Sequence, residues 1–304
     1  LIGVLICVLA DSMRMFLVGI FVQGLGSYVT MFVKYIKVNF SEDTTKLLSV
    51  LFLIGCVFMP VMMTISGHLC HFYSWVDVFW FQLFMSLIVL FVVPVLPTNP
   101  DVKLIQLSVK KYCHDLGYYW SHPAFYSSLI LCMAIGGALS VFYTLSPHII
   151  IVDFQRTPAE YGLLMFIPIV GRLMGNGLTY YLAERLSKDA IMTVGKLIAL
   201  MTICAYVVIY YFFPSPFTIM LHVAVLMLAW PMVRTNAILN VMSINPILAG
   251  SALAFLTLGV KTIYGVSALL AAQRDGEMMG LLMLAIVSVG ALLHTIIRRL
   301  MLKS

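Results

Sequence analysis

The chain is built from long apolar runs separated by short polar intervals. Leu47 to Leu69 reads LLSVLFLIGCVFMPVMMTISGHL, and comparable runs recur on both sides of it. A bilayer core about 30 Å thick is crossed by about 20 helical residues, and in lipid only a helix or a closed barrel satisfies its own backbone polar groups. Continuous apolar runs exclude the alternation of a barrel strand. The pattern predicts membrane helices near 15–36, 47–67, 76–96, 123–146, 161–182, 190–212, 217–237, 246–271 and 278–297, after a truncated helix at 1–10. Connections are short except at 97–122, where Pro97, Pro100 and a charged stretch intervene. The expected organisation is a partial helix bundle over 1–96, a central loop over 97–122 and a six-helix bundle over 123–304. The chain opens on Leu1 within an apolar run, without an initiator Met, and so reads as a fragment missing its N-terminus.

Within the central loop, Val102, Ile105, Val109, Tyr112, Cys113 and Leu116 recur at helical spacing, while Lys103, Lys110, Lys111 and Asp115 lie elsewhere on the wheel. This predicts an amphipathic helix over 101–117 lying on the membrane surface.

Composition narrows the class. With 62% hydrophobic and 10% charged residues and a mean hydropathy of +1.05, there is no room for a water-soluble domain of ordinary composition. The net charge of +6 does not signal nucleic acid, because the basic residues lie between apolar spans and do not cluster with aromatics on a polar face. Six scattered cysteines (Cys7, Cys56, Cys70, Cys113, Cys132, Cys204) show no metal-ligand spacing, so no metal and no cofactor are expected.

Charge also sets orientation. With the central loop in the cytoplasm, Lys37, Lys46, Lys103, Lys110, Lys111, Arg185, Lys188, Arg298, Arg299 and Lys303 are inside, and Arg14, Arg156 and Arg274 are outside. That bias predicts a multi-pass protein of the cell inner (plasma) membrane with a cytoplasmic C-terminus. Lys34, Lys196 and Arg234 are expected near cytoplasmic helix ends, snorkelling to the surface.

Several stretches together carry a family resemblance. GIFVQGLG (19–26) precedes a short charged loop, and Met59-Pro60 lies in the following helix. LSPHIIIVDFQRTPAEYGLLMFIPIVGRLMGNGL (145–178) and AGSALAFLTLGVKTIYG (249–265) follow. In this order and spacing they resemble the major facilitator superfamily and, within it, the Bcr/CflA-type drug:proton antiporters. The resemblance implies a bundle of two six-helix halves with Leu1 in the third helix, so that the first two helices are missing. Two positions depart from the family pattern: Ile20 stands where an Arg precedes the Gln-Gly pair, and Met59-Pro60 replaces the fifth-helix Gly-Pro signature.

The twelve carboxylates all fall in loops or near helix ends, so no acidic proton relay is expected mid-membrane. The deep charges are cationic. Arg172 and Lys261 lie about ten residues from their helix ends, roughly 16 Å deep, too far for easy snorkelling. They are the candidate substrate or coupling residues, with Asn176, Asn236, Tyr143 and Tyr264 beside them; Tyr28, Phe32 and Trp230 are further helix-interior aromatics. Gln23, Gly24, Gly26, Pro60, Pro168 and Pro231 are candidate gating or kink positions, and Gly24, Gly26, Gly171, Gly175 and Gly177 are expected to permit close helix packing. His148, His222 and His294 are expected to be satisfied or interfacial.

The expected function is secondary transport by an all-α polytopic bundle, which the resemblance makes proton-coupled efflux of amphiphilic or drug-like molecules. The two deep cations point instead to an anionic substrate such as an organic acid or a carboxylate siderophore. A non-transporting remnant is the third alternative. No enzyme is expected, since HExxH, GxSxG and paired intramembrane carboxylates do not occur. The expected partners are a small-molecule substrate, protons and membrane lipid, without nucleic acid, for a monomer.

Overall fold

The computed structural model describes residues 1–25, 44–92, 109–245, 248–272 and 278–301, and among these it is helical with no strand. The helices are α1 (Ile2–Val8), α2 (Met13–Leu25), α3 (Thr44–Phe72), α4 (Trp75–Val92), α5 (Val109–Trp120) and α6 (Pro123–His148), followed by α7 (Pro158–Leu164), α8 (Phe166–Ala183), α9 (Lys188–Phe212), α10 (Pro216–Ile244), α11 (Ala249–Ala271) and α12 (Met278–Met301). Eight segments of the described residues are long and apolar enough to cross a membrane, and Met13–Gly24 is a shorter apolar helix. Large apolar side chains such as Met201, Phe212, Leu221 and Leu292 are exposed on these helices, as a lipid solvent requires.

The chain divides into two compact units, residues 1–106 with 157–163, and residues 107–156 with 164–304. In the first unit α1 packs on α2 and α4, and α3 on α4. Phe16 of α2 meets Trp75 and Phe79 of α4 edge-on at 5.5 and 5.2 Å. Gln23 Nε2 donates to Cys7 Sγ at 3.3 Å, and Gln23 Oε1 accepts from Gln82 Nε2 at 3.1 Å, so this amide ties α1, α2 and α4 together.

In the second unit α6 is the central helix. Its apolar window is 78% buried, against 33% for those of α9 and α12, and it packs on α10, α11 and α12. It runs on through a π-helical turn at Ile149–Asp153. Start signals are local: Ser187 and Ser215 accept from the backbone N–H three residues on, and Pro216 occupies the first turn of α10. The segment expected as one helix over 161–182 begins at Pro158 and breaks at Met165. Pro168 explains the break, because it offers no N–H to the carbonyl of Leu164 and its ring crowds that turn. Thr157 and Glu160 cap the first piece reciprocally, with Glu160 Oε2 2.8 Å from Thr157 N and Thr157 Oγ1 3.2 Å from Glu160 N.

The crossing of α8 and α10 is a backbone contact. A Cβ on Gly171 would run into the carbonyl of Ala224, and one on Gly175 into that of Leu228, so this pair of small residues sets how closely the helices approach. Gly24 and Gly177, expected to act likewise, face open space. Gly26 lies outside the described residues.

In the central stretch a helix runs over Val109–Trp120, and 101–108 lie outside the described residues. Its buried side differs from the expected one. Cys113 is exposed, whereas Asp115 is buried and accepts from Ser251 Oγ at 2.8 Å. Tyr119, fully buried between Phe125 and Phe255, donates to the Asn245 carbonyl at 3.3 Å. A carboxylate with a hydroxyl donor is buried more readily than the apolar count of the wheel implies. Tyr119→Ala is expected to cost about 3–5 kcal/mol, as large aromatic truncations do, and to detach α5, read as faster hydrogen exchange over 109–120 with little change in α6.

Candidate functional site

Three helices of the second unit present cations near their middles. Arg172 is half-buried on α8, Lys261 is exposed on α11, and Arg234 is half-buried on α10, ten residues short of Ile244. Expecting Arg234 to snorkel is incorrect, because α10 does not end near 237 but continues through ILNVMSI to Ile244. That apolar continuation was the available signal, and the polar pair Thr235-Asn236 obscured it. Lys196 does not snorkel freely either: it is half-buried and donates from Nζ to Thr295 Oγ1 at 2.9 Å.

Aromatic rings accompany these cations through helical spacing. Trp230 and Arg234 are four residues apart on one face of α10, and the guanidinium carbon lies 5.5 Å from the indole. Lys261 and Tyr264 are three apart on α11, with Nζ 5.4 Å from the phenol ring. Both Arg234 and Arg172 lie within electrostatic reach of the Tyr264 hydroxyl, as does Cys132 of α6. The floor is Gly136 of α6, where a Cβ would stand 2.8 Å from the Tyr264 ring and 3.4 Å from Trp230. One turn along, Ser140 Oγ donates to the Tyr264 carbonyl at 2.8 Å and fixes α11 against α6.

Trp230 and Tyr264 thus stand over one glycine, each beside a cation of its own helix, and Arg234 and Arg172 both act electrostatically on Tyr264. Among the described residues, none of the three cations forms an ion pair with a carboxylate. Charges of one sign held within the span of apolar helices call for a counter-charge, since each costs at least about 2.5 kcal/mol on insertion scales. An acidic group seated between them would supply it, and the indole and phenol would offer flat apolar surface to its body.

The other candidates fall elsewhere. Asn176 shares the Arg172 face of α8 and is exposed. Asn236 is buried, and its side-chain N–H donates to the Met232 carbonyl of its own helix at 2.8 Å, a local bond. Tyr143 is half-buried against Phe142 on α6. Pro60 and Pro231 are buried inside α3 and α10, and both helices continue through them; Pro168 accompanies the break before α8. Tyr28 and Phe32 lie outside the described residues. Gln23 and Gly24 belong to the first unit. His148 is exposed, and the Nδ1 of His222 meets the Thr218 carbonyl at 2.7 Å. His294 departs from expectation in part, being buried with Nδ1 against Ser127 but Nε2 without a hydrogen-bond partner among the described residues.

The family model of the Major Facilitator Superfamily matches residues 1–268. No curated protein matches the chain. Because that match spans most of the chain, from α1 into α11, and coincides with a multi-pass array of apolar helices, the chain belongs to the major facilitator superfamily and is a transporter of that type.

Proposed function

We propose that this transporter exports small amphiphilic anions, organic acids or carboxylate siderophores in chemical type, in exchange for protons. The observation that carries this reading is the Arg172, Arg234 and Lys261 set, flanked by Trp230 and Tyr264 and without a carboxylate among the described residues. Arg172 and Arg234 act as planar forks for carboxylate oxygens, Lys261 as a mobile point charge at the exposed edge. The bias of basic residues, ten against three, supports an inner-membrane protein with its C-terminus in the cytoplasm. The Bcr/CflA-like stretches support the export direction and the proton exchange.

A second reading is efflux of uncharged or cationic drug-like compounds. The aromatic pair over Gly136 favours it, because rings stack on apolar bodies whatever their charge.

Two probes separate the readings. The full chain in proteoliposomes is offered labelled terephthalate, a flat ring with two carboxylates too charged to leak through lipid, and separately ethidium, under a pH gradient. Saturable, protein-dependent terephthalate movement is expected. Ethidium movement without terephthalate movement overturns the anion reading in favour of the second.

A further inference from the structure

His294 occupies an unusual position in the second unit. It lies on α12, is 1% exposed, and faces Ser127 of α6, with Nδ1 2.9 Å from Ser127 Oγ and 3.0 Å from the Ser127 carbonyl oxygen. A carbonyl only accepts, so Nδ1 carries the proton. In the neutral ring Nε2 is then a bare lone pair, and among the described residues it is buried with no partner at all. An unfilled polar atom inside a membrane helix is costly and marks an acceptor awaiting a donor.

The charged groups that reach the ring come from α9, Lys196 and Asp189, and from α12 itself, Arg298. On α6 the facing group is the uncharged Ser127. Asp189, the one acidic member, is already committed: its Oδ2 is 2.8 Å from Arg298 Nη2 and its Oδ1 accepts from Asn240 of α10 at 3.0 Å. No carboxylate among the described residues lies mid-span to serve as a proton relay.

We propose that Nε2 of His294 is the proton-binding site of this transporter, distinct from the cationic substrate site. The proton bonds to the Nε2 lone pair, the ring gains one positive charge and one N–H, and release returns the proton from the same atom. Once charged, His294 competes with Arg298 for Asp189, which loosens the tie between α9 and α12 and so links protonation to helix position. The proposal rests on the proton-exchange reading above.

The first test does not depend on the substrate. The full chain, labelled with 15N and 13C in its histidines, is titrated by NMR, with the His294→Asn variant identifying the signal. Asn keeps a donor for the Ser127 carbonyl and cannot titrate; should that variant not fold, the shift caused by Ser127→Ala identifies the same signal. A ring with its proton on Nδ1 that takes a second proton reversibly between about pH 5 and 8 supports the site. A ring protonated on Nε2 in its neutral state, or one that never charges in that range, overturns it. In proteoliposomes, a pH gradient of about one unit supplies roughly tenfold accumulation per exchanged proton. The ratio of gradient-driven to gradient-free terephthalate movement is expected to fall about that much in His294→Asn, and an unchanged ratio overturns the coupling role. If the unaltered protein moves no terephthalate, the anion reading fails while the NMR titration still decides on His294.

Discussion

Arg172→Ala is expected to abolish measurable transport while leaving the protein folded and inserted. Arg172 forms no hydrogen bond or ion pair with another described residue, so its loss removes no strut of the bundle. It does remove one of the three charges that an anion would meet near Tyr264. Truncating one partner of a desolvated charge pair costs about 2–5 kcal/mol, and the lower end, suited to a half-buried residue, is already a loss of roughly thirtyfold. Arg172→Lys keeps the charge and loses the two-pronged grip, so weak activity is expected. The measurement is terephthalate movement in proteoliposomes at matched reconstitution, with size-exclusion profiles as the check on folding. Wild-type rates in Arg172→Ala would sink the anion site.

Gly171→Val is expected to be the most damaging substitution for the fold. The first obstacle to any Cβ at this position is the backbone carbonyl of Ala224, which cannot rotate away as a side chain does. α8 and α10 must separate, and the cost should exceed the ~1–3 kcal/mol of ordinary core overpacking. Separation also carries Arg172 away from Arg234, so residual folded protein should be inactive. Gly177→Ala is the matched control on the same helix: it faces open space and replaces a poor helix former with the best one. Yield of monodisperse protein and thermal midpoint in detergent compare the two. Equal behaviour would mean that the close crossing of α8 and α10 is not needed.

The two substitutions also mark where reading the chain stops being sufficient. The depth of Arg172 and Lys261 follows from counting residues along a helix, because each rises about 1.5 Å. That Gly171 and Gly175 meet a backbone, while Gly24 and Gly177 meet nothing, does not follow from spacing, since all four belong to small-residue patterns. Arg234 lies well inside its helix because α10 extends to Ile244, and His294 stands apart because its two nitrogens have different surroundings, neither of which follows from spacing.

What the sequence by itself determined is what lipid imposes on each segment separately: helix rather than strand, a minimum span of about twenty residues, and the scarcity of charge within it. A span must satisfy its own backbone polar groups, so these features are written into every run of about twenty residues. Start signals such as Ser187 and Ser215 are equally local. Only the tertiary structure decided which faces meet. In water, a polar and an apolar side tell a helix which way to turn, whereas here lipid-facing and helix-facing sides are both apolar. Tyr264 over Gly136 and Ser127 under His294 are therefore products of packing between helices distant in the chain, and no single segment encodes them.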